Sequence, residues 1–285
     1  MSNSETGFKA ACVQTCAGAD MDANLGAAEE LVRRAVEEGA ALVCLPEFFS
    51  FLHVEGRHLD VGEQREDSHP ALQRLQAVAA ECQAWILLGS LAVQADGVRK
   101  NRSMLIDASG SVVARYDKIH MFDVDLANGE SYRESDTFEP GNEAVLAPTP
   151  WGLLGMTVCY DLRFASLYRA LAQAGANFIS IPAAFTRTTG KAHWHVLIRA
   201  RAVETGCYVF APSQYGRHGD AATYGYSLIV DPWGKVLADA GDGPAIITCD
   251  VDVARVAEAR RMIPCLKHDR DFTLPAPVTV KSALG

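Results

Sequence analysis

The chain has 285 residues, 49% of them hydrophobic, and a formal charge of −9 from 26 basic and 35 acidic side chains. That length and composition suffice to bury a large core, and a dispersed negative balance argues against nucleic acid as a partner. No apolar run approaches the roughly 20 residues of a membrane span, so no membrane partner is expected.

In chain order, Lys9–Thr15 is predicted as a strand, Asp22–Glu38 as an amphipathic helix opened by an Asp or Asn cap, and Ala41–Leu45 as a short buried strand. Pro70–Gln83 reads as a second helix with Pro in its first turn, and Trp85–Leu91 as a third strand. Arg102–Asp107 and Val112–Tyr116 follow as strands, separated by a Ser109-Gly110 hairpin signal. His120–Asn142 has acids, Gly and Pro but no apolar periodicity, and is expected to form one long loop. The rhythm then resumes with a strand ending at Val158, a helix Ala165–Ala174, a strand Asn177–Ile181 and a helix Ala192–Glu204. Strands at Tyr208–Ala211, Ser227–Val230, Val236–Ala238 and Ala245–Asp250 precede a last helix at Ala254–Arg261. Near-continuous apolar strands alternating with helices argue for mixed sheets covered by helices. Roughly ten to twelve strands are many for one open sheet, so two stacked sheets are expected. No linker cuts the chain, which favours a single domain over 1–285.

Most of the eight cysteines lie within apolar segments of a chain too large to need staples, which points to a reduced protein. Met1–Gly7 is polar and lacks the basic-then-apolar pattern of a secretory signal, so a cytoplasmic location is expected. There is no Cys-x-x-Cys pair, and His193 and His195 point about 200° apart on a predicted helix, so no metal is expected.

Three apolar segments end on ionisable residues. Leu42–Pro46 leads to Glu47, Val112–Asp117 to Lys118, and Leu153–Val158 to Cys159, after which a helix is expected to begin. Taken singly, each has a plainer reading: Cys159 as a small core hydrophobe, Glu47 as a solvated acid at a helix start, Lys118 as a surface partner of Asp117 or Asp123. Together they lie just beyond strands, where sheet proteins place their sites. Helix-terminal N–H groups would stabilise a Cys159 thiolate. Glu47 would take the thiol proton, and Lys118 with the Tyr160 N–H would hold an oxyanion, so the set suffices for covalent acyl transfer. The sequence places no histidine for a Cys-His pair and leaves His120 and His193 open.

Leu45-Pro46-Glu47, Tyr116–Asp123 and Cys159–Phe164 resemble the three signature segments of the nitrilase superfamily, the carbon–nitrogen hydrolases with a Glu-Lys-Cys triad. The resemblance runs from about residue 8 to residue 272, leaving 273–285 as a tail. It implies a four-layer αββα sandwich with two mixed sheets, a Cys-thioester amidase without metal or organic cofactor, and a homodimer or higher assembly. It also selects Glu134, whose plainer reading is a solvated loop acid, as a second glutamate that contacts the lysine. Residues 190–194 and 199–205 are similar to the branch containing omega-amidase and deaminated-glutathione amidase, and 214–218, 224–227 and 231–234 look closer to the deaminated-glutathione amidase side. Tyr226 and Lys191 depart from that branch's usual His and Pro or Glu. N-carbamoyl-D-amino-acid amidohydrolases, the rival, carry two consecutive arginines where this chain has Leu162-Arg163.

The expected substrate is the amide of a small 2-oxo acid or deaminated glutathione, with 2-oxoglutaramate and N-carbamoyl amino acids as alternatives. Its carboxylate needs a cation, for which Arg187 and Arg163 are the candidates. Phe185 and Tyr160 are candidate pocket walls, or core aromatics without function. Two readings of other classes remain: a carboxylate-binding or interaction protein that keeps the fold, and a thiol redox sensor with Cys44 or Cys207 as partner.

Overall fold

The computed structural model describes residues 7–56, 58–126 and 129–273, so the expected tail lies outside the described residues from 274 on. Two mixed sheets form its centre. The first runs in the order Ala245–Asp252, Gly7–Gln14, Leu42–Cys44, Trp85–Ala95, Val98–Ile106 and Val112–Asp117, with the short strand Gln64–Arg65 beside Trp85–Ala95. The second runs Val145–Thr149, Gly152–Met156, Phe178–Ser180, Tyr208–Ala211, Leu228–Val230, Val236–Asp239. In each, short parallel strands occupy the middle and antiparallel strands the edges.

Side-chain alternation along the first sheet assigns its two faces. Ala11, Val13, Val43, Leu45, Ile86, Leu88, Met104 and Ile106 pack on helices α1 (Met21–Glu37) and α2 (Pro70–Cys82). Their neighbours Ala10, Cys12, Leu42, Cys44, Leu87 and Leu105 join the second sheet in one continuous core. That sheet's other side is covered by α3 (Ala165–Gln173) and α4 (Arg187–Thr205), whose Leu167, Tyr168, Leu171, Trp194, Ile198 and Ala202 point inward. The layers are therefore αββα, as expected. A last helix, α5 (Ala254–Met262), follows the second-sheet edge and the return strand Ala245–Asp252.

Three local expectations are corrected. The stretch after His120 is not one loop: Asp123–Asp125 and Ser131–Arg133 pair as a hairpin, and Glu134–Asp136 makes a 3-10 turn. The hairpin of Tyr215–His218 and Ala221–Tyr224 and the strand Val145–Thr149 were also unmarked by apolar periodicity. Helix α4 starts at Arg187, five residues before the predicted Ala192, because Thr186 caps it by accepting the Thr189 N–H. Among the described residues no helix is long and apolar enough to cross a membrane.

His69 caps α2 through Nδ1, which accepts the Ala71 N–H at 3.2 Å, and burial holds its pKa down to about 4 from 6.5. The neutral ring is the form the fold needs, so the unfolded chain binds the proton first. The resulting stabilisation is complete above about 6.5 and is lost as pH falls toward about 4, up to roughly 3 kcal/mol. His69→Asn keeps a capping acceptor and removes the titration. Urea midpoints measured across this window should fall less steeply for the variant than for the parent.

Candidate active site

The polar centre is assembled where strands end. Glu47 follows Leu42–Cys44 and bridges to Ser90; Lys118 directly follows Val112–Asp117; Cys159 follows Gly152–Met156. Close backbone approach makes this possible. A Cβ on Gly89, in the bulge of Trp85–Ala95, would lie 2.0 Å from the Leu45 carbonyl oxygen, and one on Gly141 would lie 2.2 Å from that of Asp117.

Glu47, Lys118 and Glu134 form one buried cluster, with side chains 2–7% exposed. Lys118 Nζ lies 3.1 Å from Glu47 Oε1 and 2.9 and 2.7 Å from the two oxygens of Glu134. The plainer readings of these residues as solvated acids and a surface lysine therefore fail; Asp117 pairs instead with Arg102. Burial would lower the Lys118 pKa, but Glu134 and Glu47 hold it well above its usual value. Burial raises that of Glu134 against the pull of Lys118. Backbone donors complete the set: the Ala184 N–H reaches Glu47 Oε2 and the Phe122 N–H reaches Glu134 Oε2, both at 2.7 Å.

Cys159 stands at φ +48°, a left-handed conformation that a non-glycine residue adopts only when its surroundings fix it. Its N–H donates to the Pro182 carbonyl oxygen at 2.9 Å. Asp161, fully buried, ties this turn to the lysine segment. It accepts from the Val158 N–H, Tyr116 Oη and the His120 N–H, and its Oδ1 lies 2.6 Å from His120 Nδ1. The expected thiolate-stabilising helix is absent: residues Cys159–Arg163 form a single 3-10 turn. Burial, then the Glu47 carboxylate, pushes the thiol pKa well above its usual value, with Lys118 opposing. The resting group is a neutral thiol beside a carboxylate.

A cavity of about 540 Å³ opens onto this centre, lined by Glu47, Lys118, Glu134 and Cys159 and by apolar walls that include Phe48, Leu52, Phe122, Tyr160 and Phe185. Tyr160 and Phe185 thus border the cavity. The two arginines proposed for a carboxylate do not: Arg187 is exposed at the start of α4, and the Arg163 guanidinium lies 5.7 and 5.2 Å from the Tyr160 and Phe185 ring centres. Arg99 and Arg133 line the cavity instead. Tyr226, stacked on Tyr224, and Lys191, exposed, stand outside it, so those two departures do not alter its walls. His120 serves Asp161, and His193 is exposed beside Arg163. Cys44 lies against Cys12 and Cys207 against Arg260.

Sequence reasoning missed Asn101, whose Nδ2 donates to Glu47 Oε1 at 2.9 Å and to Glu134 Oε1 at 3.0 Å. A polar residue within a strand that is apolar further on was the available signal. It also missed His218, a buried cavity residue held by the Ala17 carbonyl and Thr223.

A family model described as carbon-nitrogen hydrolase matches residues 9–261. The deaminated glutathione amidase of Yersinia enterocolitica is 39% identical over 91% of this chain and 92% of its own length. The NitFhit protein of C. elegans superposes with a TM-score of 0.84 at 32% identity, over 93% of this chain and 65% of that longer one. A glutamate-to-glutamine variant of an amidase from Nesterenkonia sp. AN1 gives a TM-score of 0.75 at 26% identity, over 92% and 96% of the two chains. That variant carries the acetamide moiety of fluoroacetamide covalently on its active site cysteine.

Gly89→Ala should place a methyl group against the backbone that delivers Glu47. Overpacking of this kind costs about 1–3 kcal/mol. The expected result is a lower denaturant midpoint together with reduced turnover per folded molecule, whereas Gly26→Ala, where a Cβ meets nothing within 4 Å and the backbone is helical, should leave turnover unchanged.

Proposed function

The chain belongs to the carbon–nitrogen hydrolase family, its relatives being amidases, and from this premise we propose that it cleaves the amide of a small carboxylate-bearing 2-oxo acid through a thioester on Cys159. Deaminated glutathione is the first candidate substrate, supported by the relative of that name. The observation that carries the mechanism is that Glu47, Lys118 and Cys159 line one cavity, where burial and the Glu47 carboxylate raise the pKa of the Cys159 thiol. A neutral thiol needs a base at the moment of attack, and Glu47 is in place to act as one.

In the proposed sequence the S–H proton passes to Glu47 as sulfur bonds to the amide carbonyl carbon. Lys118 and the Tyr160 N–H stabilise the oxyanion, a contribution of about 3 kcal/mol for a typical donor. Glu47 then protonates the departing nitrogen, leaving the thioester. Water activated by Glu47, with Glu134 assisting, releases the acid and restores the thiol. The cavity of about 540 Å³ accommodates more than a minimal amide, and Arg99 and Arg133 on its wall, paired with Glu63 and Asp125, would have to share those pairings to receive a carboxylate.

Cys159→Ala should lower kcat/KM by roughly 10⁴-fold or more on deaminated glutathione, and intact mass with a slow substrate should place the acyl group on Cys159. Equal turnover by variant and parent rejects the mechanism. A higher kcat/KM for N-carbamoyl amino acids or 2-oxoglutaramate rejects the first substrate.

We further propose that the chain self-associates. Val196 and Val203, two turns apart on α4 and 62% and 55% exposed, support an apolar contact there. Sedimentation velocity should show a dimer or larger species that Val196→Glu weakens; a monomer at all concentrations rejects it.

A further inference from the structure

The two glutamates of the cluster are not equivalent as proton acceptors. Glu134 receives four hydrogen bonds from three donor groups: Lys118 Nζ and Asn101 Nδ2 on Oε1 at 2.9 and 3.0 Å, and Lys118 Nζ and the Phe122 N–H on Oε2, both at 2.7 Å. Glu47 Oε1 receives two, Lys118 Nζ at 3.1 Å and Asn101 Nδ2 at 2.9 Å, while Oε2 receives only the Ala184 N–H at 2.7 Å. A carboxylate oxygen has two lone pairs, so, counting the hydrogen bonds among the described residues, only Glu47 Oε2 of these four oxygens keeps a lone pair without a backbone, lysine or amide donor.

We propose that Asn101 is a positioning residue that spends both its amide hydrogens on the two glutamates, thereby directing the Cys159 proton to Glu47 Oε2 and keeping Glu134 an anion throughout turnover. This rests on the acyl-transfer reading of Cys159. In the step concerned, the S–H bond breaks, an O–H bond forms at Oε2 and sulfur bonds to the substrate carbonyl carbon; the same proton later leaves with the amine. The orientation of Asn101 is dictated by its neighbours. Its Oδ1 is buried without a hydrogen-bond partner among the described residues, and turning the amide over would set that oxygen against two carboxylates. The titratable groups gathered on Asn101 are Glu47, Glu134 and Lys118, with Cys159 beyond Glu47. Arg102, Asp117 and Arg115, on adjoining strands, form their own ion-paired set with Glu66 of the 3-10 turn Glu66–Ser68.

Asn101→Leu, Asn101→Ser and Asn101→Asp test the proposal through pH profiles of kcat and kcat/KM on a 2-oxo acid amide and through single-turnover acylation of Cys159 followed by intact mass. Asn101→Leu and Asn101→Ser should acylate roughly 10- to 100-fold more slowly, with KM changed much less than kcat. Asn101→Asp puts a third carboxylate on one lysine; it should be nearly inactive at about pH 8 and recover several-fold at about pH 6, where its carboxyl can be protonated and donate again, while the parent does not. Acylation at the parental rate with the parental pH profile overturns the proposal, and so does an Asn101→Asp loss that is equal at every pH. If the Leu and Ser variants do not fold, as judged by circular dichroism, the near-isosteric Asp variant decides by the same criterion. A parent that forms no Cys159 adduct while Cys159→Ala still turns over refutes the acyl-transfer reading itself. An adduct in the parent with unaffected Asn101 variants refutes only the role of Asn101.

Discussion

An ammonium held between two carboxylates, all of them nearly out of solvent, constrains everything around it. Removing an ion from water costs several kcal/mol even after relaxation, and the loss is offset only where geometry and additional hydrogen bonds are good. Here Lys118 is 2% exposed, Glu47 3% and Glu134 7%, and every carboxylate oxygen has at least one further donor from Asn101, Ala184 or Phe122. Breaking one member of such a set typically costs about 3–5 kcal/mol, because it strands the others. The positions of the strand ends, the small residues Gly89 and Gly141 and the buried Asp161 tether are therefore parts of one requirement.

The same cluster explains the state of the nucleophile. Two carboxylates and one ammonium leave the buried centre negative before the thiol ionises, and a thiolate would add to that excess. Burial and Glu47 accordingly outweigh Lys118 and keep Cys159 protonated. In the proposed acyl transfer, a site built this way would not store a reactive anion but would generate one as the substrate carbonyl arrives and its developing oxyanion draws on the lysine's charge. The left-handed backbone at Cys159, and at Phe48 immediately after Glu47, fits a centre whose side chains are aimed at cost to their own local conformation.

Much of the frame could be read from the chain. Continuous apolar runs marked the buried central strands, and alternation placed helices on both outer faces. The short hairpins Asp123–Asp125 with Ser131–Arg133 and Tyr215–His218 with Ala221–Tyr224 escaped, because two or three pairs of polar and glycine-rich residues leave no period to detect. Glu134 could not be separated from Glu130 and Glu139 by residue type alone; it was selected by resemblance, and it now sits on Lys118. Arg187 was chosen for charge and proximity in sequence, but the Thr186 cap turns that segment into helix and leaves its side chain exposed.

By itself, then, the sequence determined which strand ends carry ionisable groups, since hydrophobic periodicity stops where a buried strand stops and the next residue is free to be polar. It also fixed the family, through motifs in which residue type and order suffice. Tertiary structure alone decided which carboxylates share their donors, because hydrogen bonding acts over about 3 Å between segments tens of residues apart. Asn101 joins Glu47 and Glu134 across separations of 54 and 33 residues, and no local pattern encodes that meeting. The same holds for the cavity wall, which Arg99 and Arg133 line although Arg163 and Arg187 are nearer to Cys159 in the chain.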